Sequence, residues 1–366
     1  MNPTKAHDEI IDQITEESTV SKLEHMHLDK IRLANRDSGP HAIRITDEKL
    51  LELLKNIILS HWQITDGQDF FPAPQPVSLE RRDLSKLIEY EYLVCAKSDG
   101  MRFLLVCYGG YSYMVDRAFK FYKVNLNFKN NDLYASHTLN DTLGGIFDGE
   151  LVLNKQDKWQ YVIHDCINIY GKDISKNIFP VRYSEIIKLT CDYWISEGSE
   201  FRITSKQFFP FKQLGLLNRL IQEDKLDHRT DGIICTPKNK KVGSHTQYDL
   251  FKWKPRHLHT FDFKIIKGQE GITAFVNKSG IHVAYASAPH GSEEEKVFLE
   301  GLAKNCPEFT NNTIVECEYD DINDIYTPIK LRLDKTHPNS FFTVKKTLCN
   351  IKENISMEEL IEMTEN

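Results

Sequence analysis

The sequence predicts an α+β fold: antiparallel sheets with helices set between them, then a small five-stranded barrel. Three observations predict it. Apolar runs of strand type come in neighbouring pairs separated by turn residues, as at 92–96 and 102–108. Helical periodicity is intermittent, so a regular βαβα alternation is excluded. Beyond Pro255, five short strand-type runs and one helix fit within about 80 residues, the content of an OB-type barrel.

The elements follow in order. Residues 1 to about 40 are polar and predict nothing firm. Residues 46–62 carry helical periodicity through Leu50, Leu51, Leu54, Ile57 and Ile58. Three prolines in 71–76 forbid helix and predict an extended connector. A helix over 79–90 is expected next, with Ser78 as its N-cap. Strands are expected at 92–96, 102–108, 111–115, 147–153 and 161–167, helices at 183–194 and 212–222, and strands again at 232–235 and 248–253. The barrel strands fall at 261–267, 272–276, 281–285, 313–319 and 329–333. The capping box Ser292-x-x-Glu295 opens a helix over 293–304, and Ser356-x-x-Glu359 opens an acidic amphipathic helix at the end.

The 366 residues suffice for two domains with proper cores. At 40% apolar and 27% charged residues, the chain is neither a disordered tail nor a fibre. No 18-residue apolar run and no basic-then-apolar leader is present, so a soluble intracellular protein with no membrane association is expected. A net charge of −7 argues against a general nucleic-acid coat protein but leaves room for a local basic cleft. None of the eight cysteines forms a C-x-x-C pair, so zinc-ribbon spacing is absent and a disulfide framework is not expected. The His25-x-His27 and His257-x-His259 pairs lack a third ligand nearby and read as surface histidines.

Chemistry concentrates in a few short segments. Lys97-Ser98-Asp99-Gly100-Met101-Arg102 puts a lysine at the end of an apolar strand, where partial desolvation frees a neutral, nucleophilic amine. A plain charged strand end is the commoner fate of such a lysine. Phe147-Asp148-Gly149-Glu150-Leu151 sets Glu150 in an apolar strand, where an unpaired carboxylate is costly unless it faces solvent. Thr230-Asp231-Gly232 repeats the Asp-Gly-then-apolar pattern, which is also that of a simple turn. Phe251-Lys252-Trp253-Lys254-Pro255 places two lysines on one strand face, as an anion-binding pair or a polar edge. Arg332-Leu333-Asp334-Lys335 closes the barrel and runs on into Pro338-Asn339.

The ordered set K-x-D-G-x-R, D-G-E, D-G, K-x-K and R-x-D-K resembles the covalent nucleotidyltransferase superfamily of mRNA capping guanylyltransferases and ATP-dependent polynucleotide ligases. The match spans Lys97 to Asn339. The Pro-Asn ending, the F-K-x-K-P form of 251–255 and the tail over 346–355 are similar to the compact single-function capping enzymes of large DNA viruses. The resemblance implies an antiparallel-sheet nucleotidyltransferase domain of the ATP-grasp-like ligase/capping type over 72–255 and an OB-fold domain over 256–342. It also implies a partly helical N-terminal segment over 1–71 and a C-terminal helix over 343–366 that packs back on the nucleotidyltransferase domain. A fused triphosphatase or methyltransferase is not expected, so those activities would come from separate partners. An intracellular site of action follows, in host cytoplasm or nucleus. A ligase that forms lysyl-AMP is the rival reading.

The same resemblance implies the site. Lys97 would attack the α-phosphate of GTP, form a lysyl-Nζ-GMP intermediate and pass GMP to a 5′-diphosphate RNA end. Lys252 and Lys254 would lower the pKa of Lys97 and neutralise phosphate. Arg332 and Lys335, assisted by Asp334, would hold the β- and γ-phosphates. Glu150 and Arg102 match ribose contacts, and Arg117 a second ribose or phosphate contact. Asp231 matches the carboxylate linked to Mg²⁺ or Mn²⁺, with Glu150 as a further candidate metal ligand, and Asp99 supports its loop. His164 stands where the family places an aromatic ring against the purine, and Lys206 resembles the lysine that reads guanine O6. The excess of lysine and arginine over 236–256 suggests a path for RNA.

Overall fold

A computed structural model describes residues 30–34, 38–64, 70–128, 143–333 and 335–365. They fall into two compact units, each assembled from separate stretches of chain. The first takes the described residues of Met1–Pro74, Gly100–Lys206 and Asn239–His245; the second takes Gln75–Asp99, Gln207–Lys238 and those of Thr246–Asn366. The chain therefore leaves one unit for the other directly after the Lys97 strand.

The first unit is built on one large, almost wholly antiparallel sheet. Its centre runs Tyr111–Asp116, Met101–Tyr108, Leu143–Leu153 and Trp159–Ile169, and Arg202–Ser205 joins the last in parallel. Gly109 and Gly110, at φ 57° and 79°, form the two-residue turn between the first hairpin partners, a conformation that disfavours other residues. Both faces of the sheet are covered. Phe103, Leu105 and Cys107 enter one core with Phe147, Leu151 and Tyr161, while Leu104 and Val106 enter another. That second core takes Leu54 and Ile58 from the helix Glu48–His61, whose cap Asp47 accepts from the Leu50 amide at 2.8 Å. The strand Leu143–Leu153 begins earlier than expected. Its extra residues include Gly145, a poor strand former that is required here: a Cβ would lie 2.7 Å from the Phe147 ring.

The second unit holds two sheets. In the first, Tyr92–Ser98 pairs with Phe209–Pro210 and Thr230–Pro237, and Thr246–Trp253 lies between Thr230–Pro237 and Gln75–Ser78. Ser78 is thus a strand residue and not a helix N-cap. Its neighbour Leu79 donates its amide to the Lys252 carbonyl at 2.9 Å, and helix begins only at Arg81–Asp83 and Leu84–Glu89. The edge position explains how Pro76 is tolerated in a strand. The helices Leu214–Gln222 and Met357–Glu365 contribute Leu214, Leu217 and Leu360 to one core with Val94, Ile233 and Phe251. Trp253 Nε1 donates to the Ile355 carbonyl at 2.9 Å.

The second sheet is OB-like. Its strands Thr260–Gly268, Gly271–Lys278 and Ile281–Pro289 form a meander. The helix Glu293–Asn305 follows, and then the hairpin Ile314–Asp320 and Ile325–Leu331, whose first strand pairs with Thr260–Gly268. Ser292 caps the helix by accepting from the Glu295 amide at 3.1 Å. The last long helix, Phe341–Glu353, is capped in the same way by Ser340.

Candidate active site

Lys97 is the penultimate residue of Tyr92–Ser98. The antiparallel partner strand pairs Thr230 with Ser98 and then Ile233 with Ala96, so three steps on one strand span two on the other. This bulge sets Asp231 and Gly232 against Lys97. Gly232 is there because nothing larger fits: a Cβ would lie 2.0 Å from the Trp253 carbonyl oxygen. Lys97 Nζ donates to Asp231 Oδ1 at 2.7 Å, and Lys254 Nζ reaches Oδ2 at 2.5 Å. Burial pulls the Asp231 pKa up, but Lys97 and then Lys254 outweigh it and hold the carboxyl below the usual carboxylate range. Lys252 sits half-buried on the strand before Lys254, with its backbone tied to Leu79. Asp99 donates its amide to the Arg229 carbonyl at 3.0 Å, an anchor for the turn after Lys97.

His257 is exposed but His259 is not an ordinary surface histidine. It is half-buried, and desolvation, then the charge of Lys254, brings its pKa down to about 4.

In the first unit, Arg102 is gripped from two sides. Its Nε and Nη2 donate to the two oxygens of Asp148 at 2.9 and 2.5 Å, and Nη1 donates to the Pro74 carbonyl at 2.8 Å. Asp148 is fully buried. Burial alone would raise its pKa, yet Arg102 and then His164 hold the carboxyl far below the usual range. His164 Nε2 lies 3.3 Å from Asp148 Oδ1, so the imidazole is oriented by its edge. Glu150, half-buried, sits opposite Arg102 in the ladder. Arg117 is exposed, directly after the strand Tyr111–Asp116. Lys206 is buried; its amide donates to the Ile163 carbonyl at 2.7 Å, which brings it alongside His164.

In the OB-like sheet, Arg332 and Lys335 converge on Asp262, 6% exposed. Arg332 Nη1 donates to Oδ1 at 3.0 Å, Lys335 Nζ pairs with Oδ2, and Asn339 Nδ2 donates to Oδ2 at 3.2 Å. Asp334 lies outside the described residues.

Four residues among the partners escape the sequence reading: Asp148, Asp262 and the buried pair Asp165–Arg182, joined at 2.7 and 2.9 Å. Each acid stands in an apolar strand run, the same signal that singles out Glu150. Among the described residues no three His, Cys, Asp or Glu side chains converge as a metal cage. Each Asp231 oxygen already holds a lysine ammonium, so a cation such as Mg²⁺ would reach this carboxylate only where a lysine leaves it.

The family model of the mRNA capping enzyme catalytic domain matches residues 37–256, and that of the mRNA capping enzyme C-terminal domain matches 259–361. The mRNA-capping enzyme subunit alpha of Schizosaccharomyces pombe is 29% identical over 328 residues, covering 80% of this chain and 79% of that protein. The subunit alpha of Saccharomyces cerevisiae is 26% identical over 361 residues, covering 80% and 78%. A solved structure of mycobacterial DNA ligase D complexed with ATP and MES aligns at 12% identity and TM-score 0.39, over 74% of this chain and 97% of its own.

Proposed function

Because the chain belongs to the mRNA capping enzyme family, we propose that it is a GTP-dependent mRNA guanylyltransferase that works through a lysyl-GMP intermediate at Lys97. The observation that carries this reading is the pairing of Lys97 with a carboxylate it shares with Lys254.

A lysine used as a nucleophile must be held near its target and must be able to shed its proton. Asp231 does the holding at rest. When Lys97 turns to phosphorus, Lys254 remains to neutralise Asp231, so no bare buried carboxylate is left behind. The ammonium gives its proton to solvent water, and neutral Nζ attacks the α-phosphorus of GTP. A P–N bond forms, the bond to the α–β bridging oxygen breaks, pyrophosphate leaves with the electron pair, and the nitrogen gives a second proton to solvent. In the second half-reaction a terminal oxygen of a 5′-diphosphate RNA attacks the same phosphorus. The P–N bond breaks, Nζ recovers two protons and returns to Asp231 as the ammonium, and the RNA carries a 5′–5′ triphosphate cap.

Lys252 and Lys254 serve the phosphate charge in this reading, and Arg332 and Lys335, with Asp334, the β- and γ-phosphates. Glu150, Arg102 and Arg117 serve the ribose, His164 and Lys206 the guanine, and Asp99 the turn. Asp262 would then hold Arg332 and Lys335 ready until a polyphosphate competes for them. Mg²⁺ or Mn²⁺ would be held by Asp231, with Glu150 the second candidate, and would supply further neutralisation of the phosphates. Residues 72–255 would form the nucleotidyltransferase domain and 256–342 the OB-fold domain. Of the 343–366 segment, Ile355 and Leu360 would pack on the former, whereas Val344 and Ile351 lie in the core of the OB-like sheet; an N-terminal segment would cover 1–71. The reaction would take place inside the cell and, by the tail motif, in a virus-like system, between RNA triphosphatase and cap methyltransferase steps. No helix among the described residues is long and apolar enough to cross a membrane.

The test is label transfer with α-labelled GTP and ATP in parallel. Stable label from GTP and none from ATP is expected, with Lys97→Met blank for both. Label from ATP alone would instead make the protein a polynucleotide ligase.

A further inference from the structure

The segment that supplies Asp231 also reaches the opposite face of the nucleophile strand. Lys97 and Ser98 are consecutive in Tyr92–Ser98, so their side chains leave on opposite faces. On one face Lys97 Nζ meets Asp231. On the other, Ser98 Oγ lies 2.6 Å from His228 Nε2, and His228 Nδ1 lies 2.6 Å from Asp227 Oδ1. Ser98 is fully buried and His228 is 8% exposed. The backbone closes the grip, with Thr230 paired to Ser98 and the Asp99 amide donating to the Arg229 carbonyl. Residues 227–231 thus hold the strand end from both faces and along its edge.

Proton placement follows from the partners. The Asp227 carboxylate can only accept, so Nδ1–H points to it and Nε2 faces the Ser98 hydroxyl. Ser, His and Asp occur in the order of an acyl-transfer triad. The hydroxyl, however, is fully enclosed.

We propose that His228 is a positioning residue for the covalent step: it pins Ser98, and through the rigid strand backbone fixes where Lys97 presents its amine. The proposal rests on Lys97 being the nucleophile. Lysine has a long flexible stem, and its tip can be placed only as well as its Cα is placed. In-line attack needs the reacting atoms about 3–3.5 Å apart, and a small displacement of the anchor lowers the rate steeply. The anchor matters here because the chain passes into the other unit at Gly100, directly beyond the pinned residue.

Single-turnover formation of lysyl-GMP in the full chain tests this. Gln can replace the Nε2 contact to Ser98, whereas Asn can replace only the Nδ1 contact to Asp227. Ser98→Ala and His228→Asn are expected to slow the covalent step by about tenfold, with KM for GTP within about twofold of the unaltered chain. His228→Gln is expected to recover most of the rate. Full-rate Ser98→Ala and His228→Asn would overturn the proposal. So would KM and rate falling together with His228→Gln no better than His228→Asn, since that pattern marks a general packing role. Ser98→Ala, which deletes one oxygen, serves if a His228 variant does not fold. Failure of the unaltered chain to become labelled would strike at the nucleophile itself and not at this relay.

Discussion

Asp231 serves two lysines with one carboxylate, so its charge matters more than its size. An amide of the same shape cannot balance two ammonium groups, and Asp231→Asn is expected to slow lysyl-GMP formation by about 100-fold while the protein stays folded. Asp148 has the opposite weighting. It is fully buried beneath Arg102, so Asp148→Asn leaves a guanidinium without its charge partner and should cost about 3–5 kcal/mol in denaturant unfolding. Because its folded pKa lies below the unfolded one, its contribution is present above the unfolded value of about 3.9 and is lost as pH falls through the folded value. His259 shows the same sign for a different reason. Held at about 4, below the free histidine value of about 6.5, it binds its proton more readily when unfolded. Stability should therefore decline as pH falls from about 6.5 towards 4, and His259→Asn should flatten that part of a Tm-against-pH curve.

Between strands, Gly232 shows how an element carries chemistry. The bulge at Thr230/Ile233 turns Asp231 onto Lys97 only because the next residue can pass against the Trp253 carbonyl. Gly232→Ala would force these strands apart, and it should lower Tm and labelling together. Asp231→Asn, by contrast, should affect labelling far more than Tm. The OB-like sheet has a similar dependence on one strand residue. Asp262 ties Arg332, Lys335 and Asn339 to Thr260–Gly268, and Asp262→Asn should weaken GTP use while leaving the sheet itself intact. A circular-dichroism spectrum that collapsed with this change would show that the cluster is structural only.

At the scale of the molecule, charge is spent largely on internal partners. The chain is −7 overall, and the lysine-rich stretch over 236–256 promises a positive path. Yet Lys238 pairs with Glu91, Lys254 with Asp231, and Arg256 with Asp321. At least three of the five lysines and one arginine over 236–256 are thus in ion pairs. Six released counterions on a single strand would give a log–log salt slope of about −4, and the slope for RNA use should be shallower than that. A slope of −4 or steeper in KM for RNA against salt would mean these pairs open to take up phosphate.

The residue order by itself determined the long central strands, the helix caps at Ser292 and Ser356, and the segments carrying Lys97, Glu150, Asp231, Lys254 and Arg332, but not short strands such as His41–Arg44, Gln75–Ser78 and Arg202–Ser205. Each is a local signal: an apolar period, a cap spacing, or a charge inside an apolar run. Ser78 failed as a cap because strand pairing with Lys252 outweighed local propensity. Tertiary structure alone decided which charge meets which. Arg102 and Asp148 lie 46 residues apart, Arg332 and Asp262 70, and Ser98 and His228 130. An ion pair or buried hydrogen bond forms where two strands come to lie side by side, and a short window of sequence holds only one of them.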